Sequence, residues 1–135
     1  MRAYFGRRYR ISASHRLHNE QLTVEENRAT YGKCNNPYGH GHNYEIEVMV
    51  GGAVDPATGM VMNLVDLDRV VRKTVLERFD HANLNLDPLF LNLVPTTENL
   101  CKAVHRFLKE ALPPGTLERV RIEETENNFF ECSGE

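Results

Sequence analysis

The chain has 135 residues, 41% of them hydrophobic, and a formal net charge of −3. That is enough apolar material for a single domain over residues 1–135 with its own core, and the mildly acidic balance gives no electrostatic footing for nucleic acid or an anionic membrane. No apolar run approaches the roughly 18 residues of a membrane span, the arginine-bearing N-terminus lacks the apolar core of a signal peptide, and three cysteines are no disulfide framework, so a reducing, cytoplasmic setting is expected.

Tyr4 to Ser14 reads as a strand, with Gly6 as the mark of a bulge. Tyr9, Ile11, Ala13 and His15 share one parity in it, which turns His15 inward with the apolar residues. Arg16 to Gly39 is polar and without clear periodicity, and reads as a long loop; such loops are usually functional or disordered. A second strand covers Tyr44 to Val50, and its inward parity extends back through His42 to His40. Gly51-Gly52 and the stretch from Asp55-Pro56 to Gly59 mark turns.

Two helices follow. Asn63 caps the first, with Asp66 in its opening turn and Leu64, Leu67, Val71 and Val75 as its apolar stripe. Thr96 or Thr97 caps the second, whose buried face is Leu100, Val104, Phe107, Leu108 and Ala111, and Pro113-Pro114-Gly115 ends it. Val120 to Thr125 and Phe129 to Ser133 form a hairpin around Glu126-Asn127-Asn128. The order ββααββ predicts an α+β fold: a four-stranded antiparallel sheet with two helices on one face. Such an open sheet has two free edges, so pairing of copies through them is expected.

Three inward histidines on two strands, His15, His40 and His42, suit Zn²⁺, which neutral imidazole binds readily. Three nitrogens leave a fourth position for water or substrate. Cys34, six residues before His40, has two readings: a fourth ligand closing a structural Cys-His₃ site, or a thiolate acting as base or nucleophile beside the metal. Asp80-His81 pairs a carboxylate with an imidazole able to exchange protons near neutrality. Glu124 shares the parity of Val120 and Ile122, whereas Glu123 points away, and an inward carboxylate needs a partner or a ligand. His18 and His105 read as structural histidines, Cys101 as a small core residue, and Cys132 has no evident partner.

Ser12-Ala13-Ser14-His15-Arg16-Leu17, Gly32-Lys33-Cys34-Asn35-Asn36-Pro37 and Gly39-His40-Gly41-His42-Asn43-Tyr44 closely resemble the 6-pyruvoyl-tetrahydropterin synthase family. Asp55-Pro56 through Leu64, Asp80-His81, Thr96-Thr97-Glu98-Asn99 and Glu124-Thr125 extend the resemblance almost end to end. It implies a tunnelling fold (T-fold) assembled as a homohexamer of two stacked trimers, with sites at subunit interfaces. It also implies a lyase of tetrahydrobiopterin biosynthesis, converting 7,8-dihydroneopterin triphosphate to 6-pyruvoyl-tetrahydropterin with loss of triphosphate. By position, His15, His40 and His42 match the zinc ligands. Cys34, Asp80 and His81 match a catalytic triad completed across a subunit boundary. Glu124 matches the pterin anchor, and Thr96 and Thr97 offer polar contacts to the ring. Arg7, Arg8, Arg10, Arg16 and Lys33 are candidates for the triphosphate. Ile11, Tyr38 and Glu126 depart from the pattern without touching an assigned group.

Within the family, 6-carboxy-tetrahydropterin synthase of queuosine biosynthesis is the rival reading. Its cysteine typically lies closer to the His-x-His pair, so the longer Asn35 to Gly39 stretch favours pyruvoyl chemistry. A non-catalytic protein stabilised by a closed Cys34-His₃ zinc is the rival from another class.

Overall fold

In the computed structural model, which describes residues 1–134, β1 (Ala3–His15) pairs antiparallel with β2 (His40–Gly52) along their whole lengths. The inward parity is dry: Ile11, Ala13 and His15 on β1 and Tyr44, Ile46, Val48 and Val50 on β2 are all buried. Gly6 is not a bulge. The β1–β2 register runs through it unbroken, opposite Met49, and a Cβ there would meet the Met49 Cε at 3.2 Å. The irregularity lies between Met49 and Val50, on the other side of β2.

The stretch from Arg16 to Gly39 is not one long loop. It holds α1 (Val24–Tyr31) and a 3₁₀ turn (Gly32–Asn35). Only Asn27 of α1 is buried, so the helix has no apolar stripe to betray it. Its signature is a capping box: the Thr23 hydroxyl accepts from the Glu26 N–H at 3.0 Å, and the Glu26 carboxylate accepts from the Thr23 N–H at 2.9 Å. Gly39 ends the segment at φ +73°, and a Cβ on it would lie 3.1 Å from the His15 carbonyl oxygen. Only glycine fits where the chain closes onto the end of β1.

Asn63 caps α2 (Leu64–Val71), which runs through a π-turn (Arg72–Leu76) into α3 (Glu77–Phe79). Leu67, Val71, Val75 and Phe79 are fully buried and four residues apart. At 3.6 residues per turn, each step of four overshoots by about 40°, and the wider π-turn absorbs part of that drift. Leu64 is exposed, one turn before the helix reaches the sheet. Asp80 and His81, the latter at φ +61°, lead into β3 (Ala82–Asn83), which pairs parallel with β1 at Ala13 and Ser14. The sheet is therefore five-stranded and mixed, in the order β3-β1-β2-β4-β5, rather than four-stranded and antiparallel. Two residues are too few to show any alternation.

Thr96 caps α4 (Thr97–Ala111), which packs on β4 (Leu117–Thr125) and β5 (Asn128–Ser133). Leu100, Cys101, Val104 and Leu108 are buried; Ala111 is exposed, and Phe107 is half-buried, stacked on Phe79 at 6.3 Å. His105 is buried too, on the same helix. All helices that reach the core cover one face, and the other carries ion pairs such as Arg8–Glu47 and Arg119–Glu47.

Arg78 clamps Asp87 through two hydrogen bonds of 2.9 and 2.8 Å, and Asp87 also caps the next turn through the Leu89 N–H. The Arg78 hydrogen bonds hold the Asp87 carboxyl below the usual carboxylate range. Stability from a depressed acid is present above its unfolded value, near 4, and is lost as pH falls through the folded value. Asp87→Asn is expected to cost roughly 1–2 kcal/mol at pH 7. The deficit should shrink as pH falls below about 4, as urea titrations of metal-free protein would show.

Candidate metal centre and active site

His15 ends β1 and His40 begins β2, and the register sets them directly opposite each other. His42 pairs with Ala13, whose methyl leaves its ring room to lean toward the other two. The ring centroids lie 4.6 Å (His15–His40), 4.8 Å (His40–His42) and 5.2 Å (His15–His42) apart, all edge-on. One ligand nitrogen from each ring falls within 4.8 Å of the other two.

The His15 Nδ1 is 2.8 Å from the Pro95 carbonyl oxygen. A carbonyl only accepts, so the proton sits on Nδ1 and the lone pair on Nε2, which lies 2.9 Å from the His40 Nε2. The His42 Nε2 is buried without a hydrogen-bond partner. A cation among the three rings would satisfy that nitrogen and take up the His15 Nε2 lone pair. Burial pushes His15 and His40 below the ordinary imidazole value, toward the neutral form that binds metal. Three imidazoles with no fourth protein ligand in the cluster fit Zn²⁺ with one position open.

Beneath the rings, the Tyr44 hydroxyl is 3.3 Å from the His15 Nδ1, and burial followed by the Glu124 charge pushes its phenol up. Glu124 sits at the end of β4, half-buried. Its carboxylate accepts hydrogen bonds from the Thr97 hydroxyl and from the Asn128 Nδ2 at 3.2 Å. Burial alone would raise the Glu124 carboxyl, but these bonds and the charges of His42 and His15 bring it below its ordinary value. Glu123 is on the opposite face near Arg121, at 3.8 Å. The Thr96 hydroxyl caps α4 through the Asn99 N–H at 3.1 Å, whereas Thr97 faces Glu124.

Cys34 lies on the 3₁₀ turn, half-buried, its carbonyl held by the Leu17 N–H at 2.9 Å and its thiol within electrostatic range of Tyr44. It is not part of the histidine cluster. Asp80 and His81 are elsewhere. The Asp80 Oδ1 accepts from the Ser12 N–H at 2.9 Å, its Oδ2 is 3.7 Å from the His81 Nε2, and the His81 side chain is 83% exposed. His81 borders an open hollow lined also by Ser12, Ala13, Ser14, Gly41, His42 and Asn43. A single chain thus gathers the three histidines, Glu124 and Thr97, with Asp80-His81 outside the ligand cluster.

Pro95, Asn128 and Tyr44 were not read from the sequence as site residues. Tyr44 had a signal, the parity it shares with His42; a carbonyl oxygen and a turn asparagine had none.

The family model described as 6-pyruvoyl tetrahydropterin synthase matches residues 4–135. The 6-pyruvoyl tetrahydrobiopterin synthase of Homo sapiens is 48% identical over 134 residues, covering 98% of this chain and 92% of the relative. The structure of 6-pyruvoyl tetrahydropterin synthase from Caenorhabditis elegans superposes with a TM-score of 0.96 at 41% identity, covering 100% of this chain and 97% of that one. A putative 6-carboxy-5,6,7,8-tetrahydropterin synthase of Archaeoglobus fulgidus is 39% identical over 93 residues, 68% of this chain and 73% of its own length.

Proposed function

The chain belongs to the 6-pyruvoyl tetrahydropterin synthase family, and from that premise we propose that it is a zinc-dependent lyase converting 7,8-dihydroneopterin triphosphate to 6-pyruvoyl-tetrahydropterin with loss of triphosphate. The observation that carries the reading is the convergence of three histidines, one of them with an orphaned buried nitrogen, on a half-buried, ionised carboxylate. His15, His40 and His42 would hold Zn²⁺, which when bound would supply Lewis-acid polarisation of the substrate's side-chain hydroxyls. Cys34, as thiolate, takes the proton from carbon. Asp80 and His81 relay protons from a neighbouring copy, since in their own chain they bond Ser12 and each other and lie outside the histidine cluster, and this favours a homohexamer with sites between subunits. Glu124 accepts the two N–H donors of the amino-pyrimidine edge, positioned by Thr97 and Asn128.

Exchanging one Glu124 oxygen for an amide nitrogen leaves a pterin N–H facing a donor. Glu124→Gln is therefore expected to raise the KM for substrate roughly ten- to a hundredfold, with a smaller change in kcat. Steady-state kinetics would check it.

Likeness to the Archaeoglobus fulgidus protein keeps 6-carboxy-tetrahydropterin formation as a second reading. Anaerobic incubation of zinc-loaded protein with 7,8-dihydroneopterin triphosphate, with products identified by mass spectrometry, separates the two. The 6-pyruvoyl pterin with triphosphate supports the first; a 6-carboxy pterin with acetaldehyde supports the second. Retained zinc without turnover would leave a binding protein.

A further inference from the structure

Between α1, the 3₁₀ turn and the end of β1 lies a hollow of about 710 Å³, the size of a small-molecule site. Arg16, Arg28 and Lys33 line it, with His18 and Asn36, and no carboxylate does. None of the three cations enters an ion pair among the described residues. Glu20 stands 3.3 Å from the His18 Nε2 and is itself 93% exposed. His18 is oriented for donation: Asn35 gives an amide hydrogen to His18 Nδ1 at 2.9 Å, which leaves the ring proton on Nε2.

Local backbone builds this arrangement. Gly32 ends α1 at φ +56° and folds the next turn back, which brings Lys33 to the same hollow as Arg28, five residues earlier. Arg16 is braced by its Nε donating to the Asn35 carbonyl at 3.1 Å. Arg7 and Arg8 are already matched: Arg7 holds Asp68 at 3.0 Å, and Arg8 lies 3.4 and 3.2 Å from Glu45 and Glu47.

Concentrated unpaired cations call for a polyanion with several acceptor oxygens. The location narrows the choice. Lys33 is joined by one peptide bond to Cys34, and Arg16 by one to His15, so two of the three cations are chain neighbours of the thiol and of the histidine cluster. We propose that Arg16, Arg28 and Lys33, with the His18 Nε2–H, form the cradle for the substrate's triphosphate. This rests on the reading of the chain as a dihydroneopterin triphosphate lyase, and it adds Arg28, a residue that sequence patterning does not single out.

The test compares affinities for 7,8-dihydroneopterin triphosphate and for 7,8-dihydroneopterin, followed by pterin fluorescence on zinc-loaded protein carrying Cys34→Ala to prevent turnover. Adding Arg28→Ala or Lys33→Ala should weaken the triphosphate about tenfold each and leave the unphosphorylated pterin unchanged. Lys102→Ala, the same loss of charge on α4, should change neither. The preference for the triphosphate should also fall as salt rises. Equal affinity for the two pterins, or a triphosphate affinity untouched by Arg28→Ala and Lys33→Ala, would overturn the cradle and leave the lyase reading standing. Binding of neither pterin would sink both.

Discussion

His42→Ala is expected to abolish stoichiometric zinc binding and turnover together. The His42 Nε2 is the one ring nitrogen of the cluster buried with no partner, so in the folded chain it has no other evident task than to meet a cation. Removing it leaves two imidazoles, of which His15 is already oriented by Pro95, and two neutral nitrogens hold Zn²⁺ far more weakly than three. Metal bound to the native state alone raises stability by mass action. Added zinc should therefore raise the Tm of the parent protein and leave that of the variant unmoved. Metal analysis after dialysis, beside thermal melts with and without zinc, would decide it. A variant retaining one zinc per chain would show that the ion sits elsewhere.

Cys34→Ala should do the opposite to the metal and the same to the reaction: full zinc content, with turnover lower by roughly two to four orders of magnitude. The thiol lies outside the group of mutually close ligand atoms, so its loss takes nothing from the metal. It sits close enough to Tyr44 to feel the ground on which the histidines stand. The closed Cys-His₃ reading predicts the reverse, release of zinc from Cys34→Ala. Zinc content and single-turnover rates measured on one preparation distinguish them.

Much of this is legible in the sequence wherever a period of two runs long enough. Thirteen residues of β2 carry the parity that aims His40 and His42 inward, and the same argument separates Glu124 from Glu123. Legibility failed where structure rests on local bonding instead of on burial. Helix α1 buries only an asparagine and announces itself through Thr23 and Glu26 alone. Strand β3 is two residues held against β1. The stripes of both longer helices were read one position too far, at Leu64 and Ala111, because a helix end projects beyond the sheet it covers. The site's remaining partners, the Pro95 carbonyl and the Asn128 amide, come from loops and turns whose side-chain identity says little about where the chain passes.

Gly39 sets a sharp boundary in how far this protein can drift. Tyr38, one peptide bond earlier, is 95% exposed, so nothing in the fold packs against its side chain. At residue 39 any side chain would press on the His15 carbonyl from a backbone conformation that only glycine adopts freely. The stretch just before the metal centre therefore passes within one residue from near-complete freedom to none. Saturation libraries should find Tyr38 widely replaceable and Gly39 intolerant of all but glycine, although neither residue belongs to the histidine cluster.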